Sequence, residues 1–449
     1  MITEMSKQPV PIVAIVGRAN VGKSSLFNAV LKRREAIVAN EPGTTRDSIF
    51  AKANWQKKDF WIVDTAGIKD AEDDFEFTIQ EQIQQAADSA SVIWVVIEAD
   101  TGINEEDRRV AKLALKTKKP VFLLVNKADK TIKAKIEDYQ RLGIKDMFLT
   151  SATQNSGVAN VLDRLADIIP KAIIKTDPNR IGIALLGRPN VGKSALFNTL
   201  AKKQQAIVAD RAGTTRDVNR VEIRFNQKLV ELMDTAGIRR SGKIGQGIER
   251  FSVVRSISAI EQADVCLVLM DVNELATALD QKIVGMVKEA GKGLVLVISK
   301  WDSAEKDAYT HDALLPRIRH EFDFVPWAPV IFTSSVTGQN VSKLLELAEH
   351  IVGQRSIRIK TPELNRWLTA TTNQHPPAGL KNTTPKLSYI VQENSLTNFK
   401  VYGNNTRLLH WSYKRFMERK LREQYGFEGT PVKFWFFDKK YGHKLEPKT

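Results

Sequence analysis

Two glycine-rich loops, each ending in lysine and serine, are the residues of this chain best suited to chemistry. Gly17-Arg-Ala-Asn-Val-Gly-Lys-Ser24 recurs at an offset of 170 residues (187 − 17) as Gly187-Arg-Pro-Asn-Val-Gly-Lys-Ser194. Each loop follows an apolar, β-branched run and precedes a helical stretch, so backbone N–H groups and the helix N-terminus can bind phosphates. We expect the two lysines to contact the β- and γ-phosphates of a nucleotide and the two serines to ligate Mg²⁺.

Two further blocks repeat with the same offset. Pro42-Gly-Thr-Thr-Arg-Asp47 returns as Ala212-Gly-Thr-Thr-Arg-Asp217, and Asp64-Thr-Ala-Gly-Ile68 returns as Asp234-Thr-Ala-Gly-Ile238. The aspartates end strands and can hold the water shell of the metal, and the glycines leave room for a backbone N–H to meet the γ-phosphate. The second threonine of each Thr-Thr pair can close over Mg²⁺ when γ-phosphate is present. The predicted Mg²⁺ ligands are Ser24, Thr45, Asp64, Ser194, Thr215 and Asp234.

A third pair of segments predicts guanine as the base. In Asn126-Lys-Ala-Asp129 the carboxylate can accept both N1–H and the exocyclic amine of guanine, a pattern that adenine does not offer. The second copy, Ser299-Lys-Trp-Asp302, keeps the carboxylate and shortens asparagine to serine. Ser151-Ala152 and Ser334-Ser335 follow as loops in which a backbone N–H would meet O6 of guanine. Three colinear motifs present twice predict two complete GTPase domains in tandem.

The full set of predicted site residues follows from these motifs. The residues expected to act in catalysis are Lys23, Thr45, Gly67, Lys193, Thr215 and Gly237. The nucleotide-binding residues expected in the first copy are Gly17, Asn20, Gly22, Lys23, Ser24, Ser25, Asp64, Gly67, Asn126, Lys127, Asp129, Ser151 and Ala152. Those expected in the second copy are Gly187, Asn190, Gly192, Lys193, Ser194, Ala195, Asp234, Gly237, Ser299, Lys300, Asp302, Ser334 and Ser335.

The elements around these loops predict the fold class. Unbroken apolar runs typical of buried strands, such as Val92–Ile97 and Val121–Val125, alternate with helical stretches such as Glu105–Thr117. This alternation indicates an α/β architecture with doubly wound, mainly parallel sheets. We divide the chain into a first GTPase domain (1–170), a linker (171–180), a second GTPase domain (181–353) and an α+β domain (354–449). The last domain reads as helix, strand, strand, a long basic helix over Asn405–Tyr425, and a strand over Pro431–Phe437.

Composition limits the class of protein. The 449 residues suit two to four domains, and a hydrophobic content of 43% is ordinary for globular chains. The single cysteine, Cys266, lies in an apolar run and predicts a packed thiol in a reducing compartment. Neither a signal-peptide core nor a membrane-spanning run is present. We therefore expect a soluble, cytoplasmic protein without a membrane partner, acting as a monomer.

Positive charge is concentrated at the C-terminal end. Of the formal net charge of +15, residues 355–449 contribute +11, from 18 Lys and Arg against 7 Asp and Glu. This asymmetry favours a polyanion as partner, and a solvated basic face is the alternative. In the long helix the cations expected to meet phosphates are Lys414, Arg415, Arg419, Lys420 and Arg422. The aromatic residues expected in the core rather than as base-stacking platforms are Trp411, Phe416, Trp435 and Phe437.

These motifs resemble those of translation-factor-class P-loop GTPases, and the tandem arrangement with a C-terminal α+β domain resembles the Der/EngA family. The resemblance covers essentially the whole chain. It implies a bacterial GTP-hydrolysing switch that acts in assembly of the large ribosomal subunit, contacts its rRNA, and carries a KH-like third domain.

KH domains clamp RNA with a Gly-x-x-Gly loop between helices. The only such tetrad in the third domain, Gly426-Phe-Glu-Gly429, follows the long helix and leads into a strand, so we interpret it as a helix cap and turn. Three positions depart from the family pattern: Ala19, Ser299 and Ser335.

The activation of water needs a separate explanation. Many GTPases place glutamine after Asp-Thr-Ala-Gly to orient the attacking water, whereas this chain has Ile68 and Ile238. The resemblance implies a monovalent cation, K⁺, beside the β- and γ-phosphates, held partly by Asn20 or Asn190. The alternative is that these asparagines only brace the glycine loops.

Two other functions are alternatives to this interpretation. One is a nucleotide-dependent RNA scaffold in which one site binds GTP without useful turnover, an alternative that Ser299 keeps open for the second domain. The other is a GTPase of tRNA modification, which finds no support in a modification domain, a cysteine nucleophile or a cofactor motif.

Overall fold

A computed structural model describes most of the chain. The described residues are 10–32, 50–65, 83, 90–130, 135–170, 179–203, 219–234, 253–304, 310–380, 383–393 and 397–438. The predicted linker therefore falls mostly on residues 171–178, outside the described residues, and the exact domain boundaries stay predictions. Among the helices that the structure describes, none is long and apolar enough to cross a membrane.

The first sheet has six strands in the order β2-β3-β1-β4-β5-β6, with only β2 antiparallel to its neighbour. The strands are β1 (Ile12–Val16), β2 (Phe50–Trp55), β3 (Lys58–Asp64), β4 (Val92–Glu98), β5 (Val121–Asn126) and β6 (Asp146–Leu149). The helices are α1 (Lys23–Lys32), α2 (Glu105–Lys116) and α3 (Val158–Ile168). The β2–β3 turn consists of Gln56 and Lys57, both with positive φ (48° and 61°), the geometry that matches the twist of a two-residue hairpin. The predicted doubly wound sheet is confirmed.

The second sheet repeats the first, in the order β12-β11-β10-β7-β9-β8. Its strands are β7 (Arg180–Leu186), β8 (Asn219–Phe225), β9 (Lys228–Asp234), β10 (Val265–Asp271), β11 (Gly293–Ser299) and β12 (Val330–Phe332). Its helices are α4 (Lys193–Lys203), α5 (Val253–Gln262), α6 (Ala278–Ala290), α7 (Thr310–Glu321) and α8 (Lys343–Arg355). Cys266 is fully buried in β10, and burial raises the pKa of its thiol to about 12, as expected for a packed core thiol.

The third unit is a three-stranded sheet, β13-β14-β15, with two helices on one face. It comprises α9 (Thr361–Gln374), β13 (Lys386–Gln392), β14 (Asn398–Asn404), α10 (Trp411–Tyr425) and β15 (Lys433–Asp438), which is the predicted α-β-β-α-β order. The predicted start of the long helix at Asn405 is wrong. Asn405 has φ 55°, a 3₁₀ turn spans Thr406–Leu408, and α10 begins only at Trp411, capped by the ring of His410. A left-handed residue cannot continue an α-helix, which accounts for the late start.

The Gly426–Gly429 segment ends α10, as predicted. Gly426 has φ 85°, and its N–H donates to the carbonyl of Arg422. The turn then packs on the second domain, because the Leu294 N–H donates to the Gly429 carbonyl at 2.8 Å. The segment is therefore a cap and an inter-domain contact rather than a clamp for an RNA backbone.

The interface between the first and second domains is apolar and contains a buried polar cluster. Val10, which precedes β1, belongs with Ile12, Trp61 and Val63 of the first sheet to one buried cluster that includes residues of α5, α6 and β10. Within that cluster the Trp61 Nε1–H donates to the Glu261 carboxylate at 2.6 Å, and Lys52 Nζ lies 3.3 Å from the same oxygen. Glu261 thus has a charged and a neutral partner from the first domain, as a buried carboxylate requires.

Candidate functional site

Both glycine loops adopt the conformation that their sequence predicts. Gly17 and Gly22 have φ 153° and 93°, and α1 begins at Lys23, so the loop N–H groups lie at a helix N-terminus. A Cβ added to Gly17 would lie 2.4 Å from the carbonyl oxygen of Val96, and one added to Gly187 would lie 2.6 Å from that of Leu269. Only glycine permits this close approach of loop and strand.

The lysine at the end of each glycine loop folds back over its own loop. Lys23 Nζ donates to the carbonyls of Gly17 at 2.9 Å and Arg18 at 2.6 Å, and Lys193 Nζ donates to that of Arg188 at 2.6 Å. Both side chains are buried, with 6% of each lysine exposed. Each ammonium group therefore lies within the curve of the loop, where it can exchange carbonyl oxygens for phosphate oxygens.

Two of the three predicted metal ligands of each site lie within the described residues, and they face each other. The Ser24 hydroxyl donates to Asp64 Oδ2 at 2.6 Å, and Ser194 donates to Asp234 Oδ2 at 3.3 Å. A hydroxyl and a carboxylate are oxygen ligands that suit Mg²⁺. Within the described ranges no cluster of three or more His, Cys, Asp or Glu side chains is placed to hold a metal ion. The hydroxyl and carboxylate of each pair therefore fit a magnesium ion.

Four predicted residues cannot be placed. Thr45, Gly67, Thr215 and Gly237 lie outside the described residues, as do Ile68 and Ile238. Ser25 and Ala195 occupy exposed positions in the first turns of α1 and α4. Asn20 and Asn190 lie exposed at the tips of their loops, each with φ 64°, a conformation that asparagine adopts more readily than other side chains.

Asn126 joins the three loops of the first site. Its Nδ2 donates to the Val21 carbonyl at 2.9 Å, and its Oδ1 accepts from the Ala152 N–H at 3.2 Å. Lys127 adds a second link, donating to the Asn20 carbonyl at 2.9 Å and to Glu98 at 2.7 Å. The side chain of Asp129 stays exposed on a 3₁₀ turn, where it can meet a base. These hydrogen bonds thus hold the glycine loop and the loops at Asn126 and Ala152 in fixed positions relative to one another.

The second site has only part of this connection. The Ser299 hydroxyl lies 2.7 Å from the Val191 carbonyl and 2.9 Å from that of Met270. A Cβ added to Gly22 would lie 2.3 Å from Asn126 Nδ2, whereas one added to Gly192 would meet no heavy atom within 4 Å. Shortening asparagine to serine therefore keeps the tie to the glycine loop and leaves open space beside it. The carboxylate of Asp302, which we predict to bind the base, has a partner in Ser334, whose hydroxyl donates to it at 2.5 Å.

Sequence reasoning missed one pair of residues that brace the loops. Arg18 donates to Asp107 at 3.3 Å and to Thr101 at 2.6 Å, and Arg188 contacts Glu274 and lies 3.8 Å from Asp280. Asp107 and Asp280 are the buried capping-box residues of α2 and α6. Burial raises the pKa of both carboxyl groups, with the cap N–H groups and the arginine opposing that rise. Arginine at the second position of both loops was the available signal.

The basic helix of the third domain presents fewer free cations than predicted. Arg415 and Arg419 are exposed, and Glu423 pairs with Lys420 at 2.7 Å and lies 3.8 Å from Arg419. Arg422 is instead directed at the second domain, with its guanidinium 5.4 Å from the ring centre of Trp327 and a 2.6 Å pair to Glu418. The prediction that Arg422 faces phosphates is wrong, because packing between domains covers it.

The predicted burial of the four aromatic residues holds only in part. Phe416 packs against the core of the third domain, and Trp435 is half-buried. Trp411 and Phe437, however, are 42% and 41% exposed, so their assignment to the core is wrong.

Comparison with known proteins connects this geometry to a family. Residues 12–127 and 182–300 match a family model described as a 50S ribosome-binding GTPase. Residues 358–436 match the KH-domain-like C-terminal domain of EngA bacterial GTPase enzymes. The chain is 42% identical over 435 residues to a GTPase Der of Chloroflexus aggregans, covering 94% of this chain and 97% of that one. It is 41% identical over 435 residues to a GTPase Der of Lachnoclostridium phytofermentans, with coverages of 96% and 98%.

Proposed function

This chain belongs to the GTPase Der family and is a GTP-binding, GTP-hydrolysing enzyme, and we propose that it acts as a switch in assembly of the large ribosomal subunit. The observation that carries this proposal is the same phosphate-and-guanine architecture built twice beside a domain with a net charge of +11. Two nucleotide sites allow the state of each domain to depend on GTP, and the basic domain suits rRNA as partner. We place this activity in the cytoplasm, with the protein acting as a monomer.

Within each site we assign roles from the contacts described above. Lys23 and Lys193 exchange their loop carbonyls for the β- and γ-phosphate oxygens of GTP, where their charge stabilises the transferred group. Ser24 with Asp64, and Ser194 with Asp234, would hold Mg²⁺, with Thr45 and Thr215 completing the set. When bound, Mg²⁺ offsets the negative charge of the phosphates. Gly67 and Gly237 would present backbone N–H groups to the γ-phosphate.

Guanine recognition we assign to Asp129 and Asp302, which accept from the base, while backbone N–H groups at Ala152 and Ser335 meet O6. Asn126 and Ser299 position these loops rather than read the base. The ties of Ser299 support a second site that binds nucleotide, rather than a degenerate domain in an RNA scaffold.

We further propose K⁺ as the cation that replaces an arginine finger. Within the described residues, the side chains of Asn20 and Asn190 form no hydrogen bond that would brace their loops, and both are exposed beside the phosphate-binding N–H groups. An amide oxygen at that position suits a monovalent cation next to the β- and γ-phosphates.

The central experiment is GTP turnover with and without purified large ribosomal subunits. Wild-type protein, Lys23→Ala, Lys193→Ala and the double variant would be compared, together with nucleotide-dependent co-sedimentation. We expect each single variant to lose the turnover of its own domain and the subunits to change the wild-type rate. If neither turnover nor association responds to large subunits, the ribosomal role is wrong although the enzyme assignment stands.

A further inference from the structure

Three aromatic rings form a row across the outer face of the third domain's sheet. Tyr389, Tyr402 and Phe437 are paired in register on β13, β14 and β15. Their ring centres are 6.1 Å apart between the tyrosines and 5.4 Å between Tyr402 and Phe437, and the latter pair is stacked at 25°. Tyr389 and Phe437 are 42% and 41% exposed. We call these three residues the aromatic row.

The row is not part of the core of its own domain. Side chains of alternating positions on the same strands, such as Ile390, Phe399 and Val401, are fully buried against α9 and α10. Successive side chains of a strand point to opposite faces, so the aromatic row lies on the face away from both helices. Large rings placed side by side on an open sheet face are uncommon in monomeric proteins and mark interaction sites.

The net charge of the same domain favours a nucleic acid as partner. Lys400 precedes Tyr402 by two residues, and its ammonium lies 5.9 Å from the ring centre of Phe437. Glu393 pairs with Lys400 at 2.5 Å, so these two charges offset each other, and the Asp438 carboxylate accepts from the Thr406 N–H and hydroxyl at 2.6 and 2.9 Å. Residues 355–449 carry +11. A partner with flat rings and negative charge therefore fits both features.

We propose that the aromatic row is a stacking platform for unpaired nucleobases of RNA, with the net positive charge of residues 355–449 attracting the phosphates. Sheet-borne aromatic rings stack two or three bases in other RNA-binding domains, and stacking tolerates any base because every base has a π-face. Bases inside a duplex are already stacked on each other, so the platform selects single-stranded segments. Identifying the source as ribosomal RNA rests on the function proposed above; the platform itself does not.

The test is fluorescence anisotropy of the full-length, GDP-bound protein with a labelled single-stranded oligoribonucleotide of about ten nucleotides. We expect Tyr402→Ala and Phe437→Ala each to weaken binding about tenfold. Tyr402→Phe and Phe437→Tyr retain the ring and should bind like wild type. Leu380→Ala is the matched control, since it removes another exposed apolar side chain of the domain (47% exposed) outside the row. Unchanged RNA-free GTP turnover and melting temperature would show that the variants fold.

Three results would overturn the platform. The first is that wild type binds single-stranded RNA and duplex RNA of the same length with equal affinity. The second is that the alanine variants bind the single-stranded RNA as tightly as wild type. The third is that the ring-retaining variants lose as much RNA affinity as the alanine variants. If the alanine variants keep RNA affinity and instead lose contact with a protein surface, the row is a protein-docking site and the proposal is wrong. Co-sedimentation with large subunits separates the two proposals. If wild type binds the oligonucleotide through the aromatic row but does not co-sediment with large subunits, the platform stands and the ribosomal role is wrong.

Discussion

The hydroxyl of Ser299 lies 2.7 Å from the carbonyl oxygen of Val191, in the place where Asn126 Nδ2 donates to Val21 at 2.9 Å. The Ser299 hydroxyl has one proton, which it can donate to the carbonyl of either Val191 or Met270. The side-chain amide of Asn126, in contrast, donates to one loop and accepts from another. The second site therefore retains the link from β11 to the glycine loop and lacks the amide bridge to the last guanine loop.

We predict that Ser299→Asn slows release of GDP from the second site. A restored hydrogen bond contributes about 1 kcal/mol, which corresponds to a severalfold slower rate. The measurement is stopped-flow release of fluorescent GDP in a Lys23→Ala background that silences the first site. The reciprocal change, Asn126→Ser in a Lys193→Ala background, should accelerate release from the first site. Unchanged rates in both variants would contradict this account of the bridge.

Asp129→Asn should weaken GTP binding in the first domain and relax its selectivity for guanine. The carboxylate is exposed and ready to accept two guanine N–H groups, and losing this paired contact costs about 1–3 kcal/mol. Calorimetric titration of the Lys193→Ala protein measures the first site alone, and Asp302→Asn in the Lys23→Ala background is the matched change. Affinity for GTP equal to that of the parent protein would refute the assignment.

GTP hydrolysis should rise strongly when Na⁺ is replaced by K⁺ at constant ionic strength. The physical reason is a cation that offsets charge developing at the bridging oxygen where neither Ile68 nor Ile238 can help. Asn20→Ala and Asn190→Ala should each abolish the K⁺-dependent share of their own domain. Equal wild-type rates in the two salts would exclude the cation.

Association with large subunits should depend on the exposed cations of α10. Arg415→Ala and Arg419→Ala should each reduce the slope of log affinity against log salt by about 1, if both contact phosphates. Deleting residues 355–449 should also flatten the salt dependence, but Arg355 donates to the Gly291 carbonyl at 2.9 Å, so the deletion also removes part of the second domain's packing. Point variants avoid this, and an unchanged slope for both would argue against phosphate contacts.

Trp61→Phe should loosen the contact between the first and second domains. It retains the ring and removes the N–H that donates to buried Glu261, for an expected loss of about 1.5–3 kcal/mol. Trp55→Phe is the control, because the Trp55 N–H donates to Asp163 at an exposed position within the first domain. Differential scanning calorimetry should show earlier melting of one domain for the first variant only. Identical thermograms would show that the hydrogen bond does not couple the domains.

The amino-acid sequence by itself determined the two nucleotide-binding loops and the sheets that carry them. A glycine loop is a local structure, since its glycines, lysine and serine lie within eight residues and follow a strand that is apolar throughout. The repeat at a fixed offset then predicted the second copy, and the strand orders agree. The end of α10 was likewise predictable, because a glycine that can adopt a positive φ at the C-terminus of a helix is a local signal.

Tertiary structure decided what depends on distant residues. Arg18 meets Asp107 across 89 positions and Ser299 meets Val191 across 108, and no local pattern specifies such a pairing. The faces of β15 were equally hidden, because Phe434-Trp-Phe-Phe437 is aromatic throughout and lacks the alternation that separates a buried face from an exposed one. Only the position of α9 and α10 determined that Phe437 lies outside the core. The conformation of a binding loop depends on residues that are adjacent in sequence, whereas the exposure of a side chain depends on how the helices and strands pack.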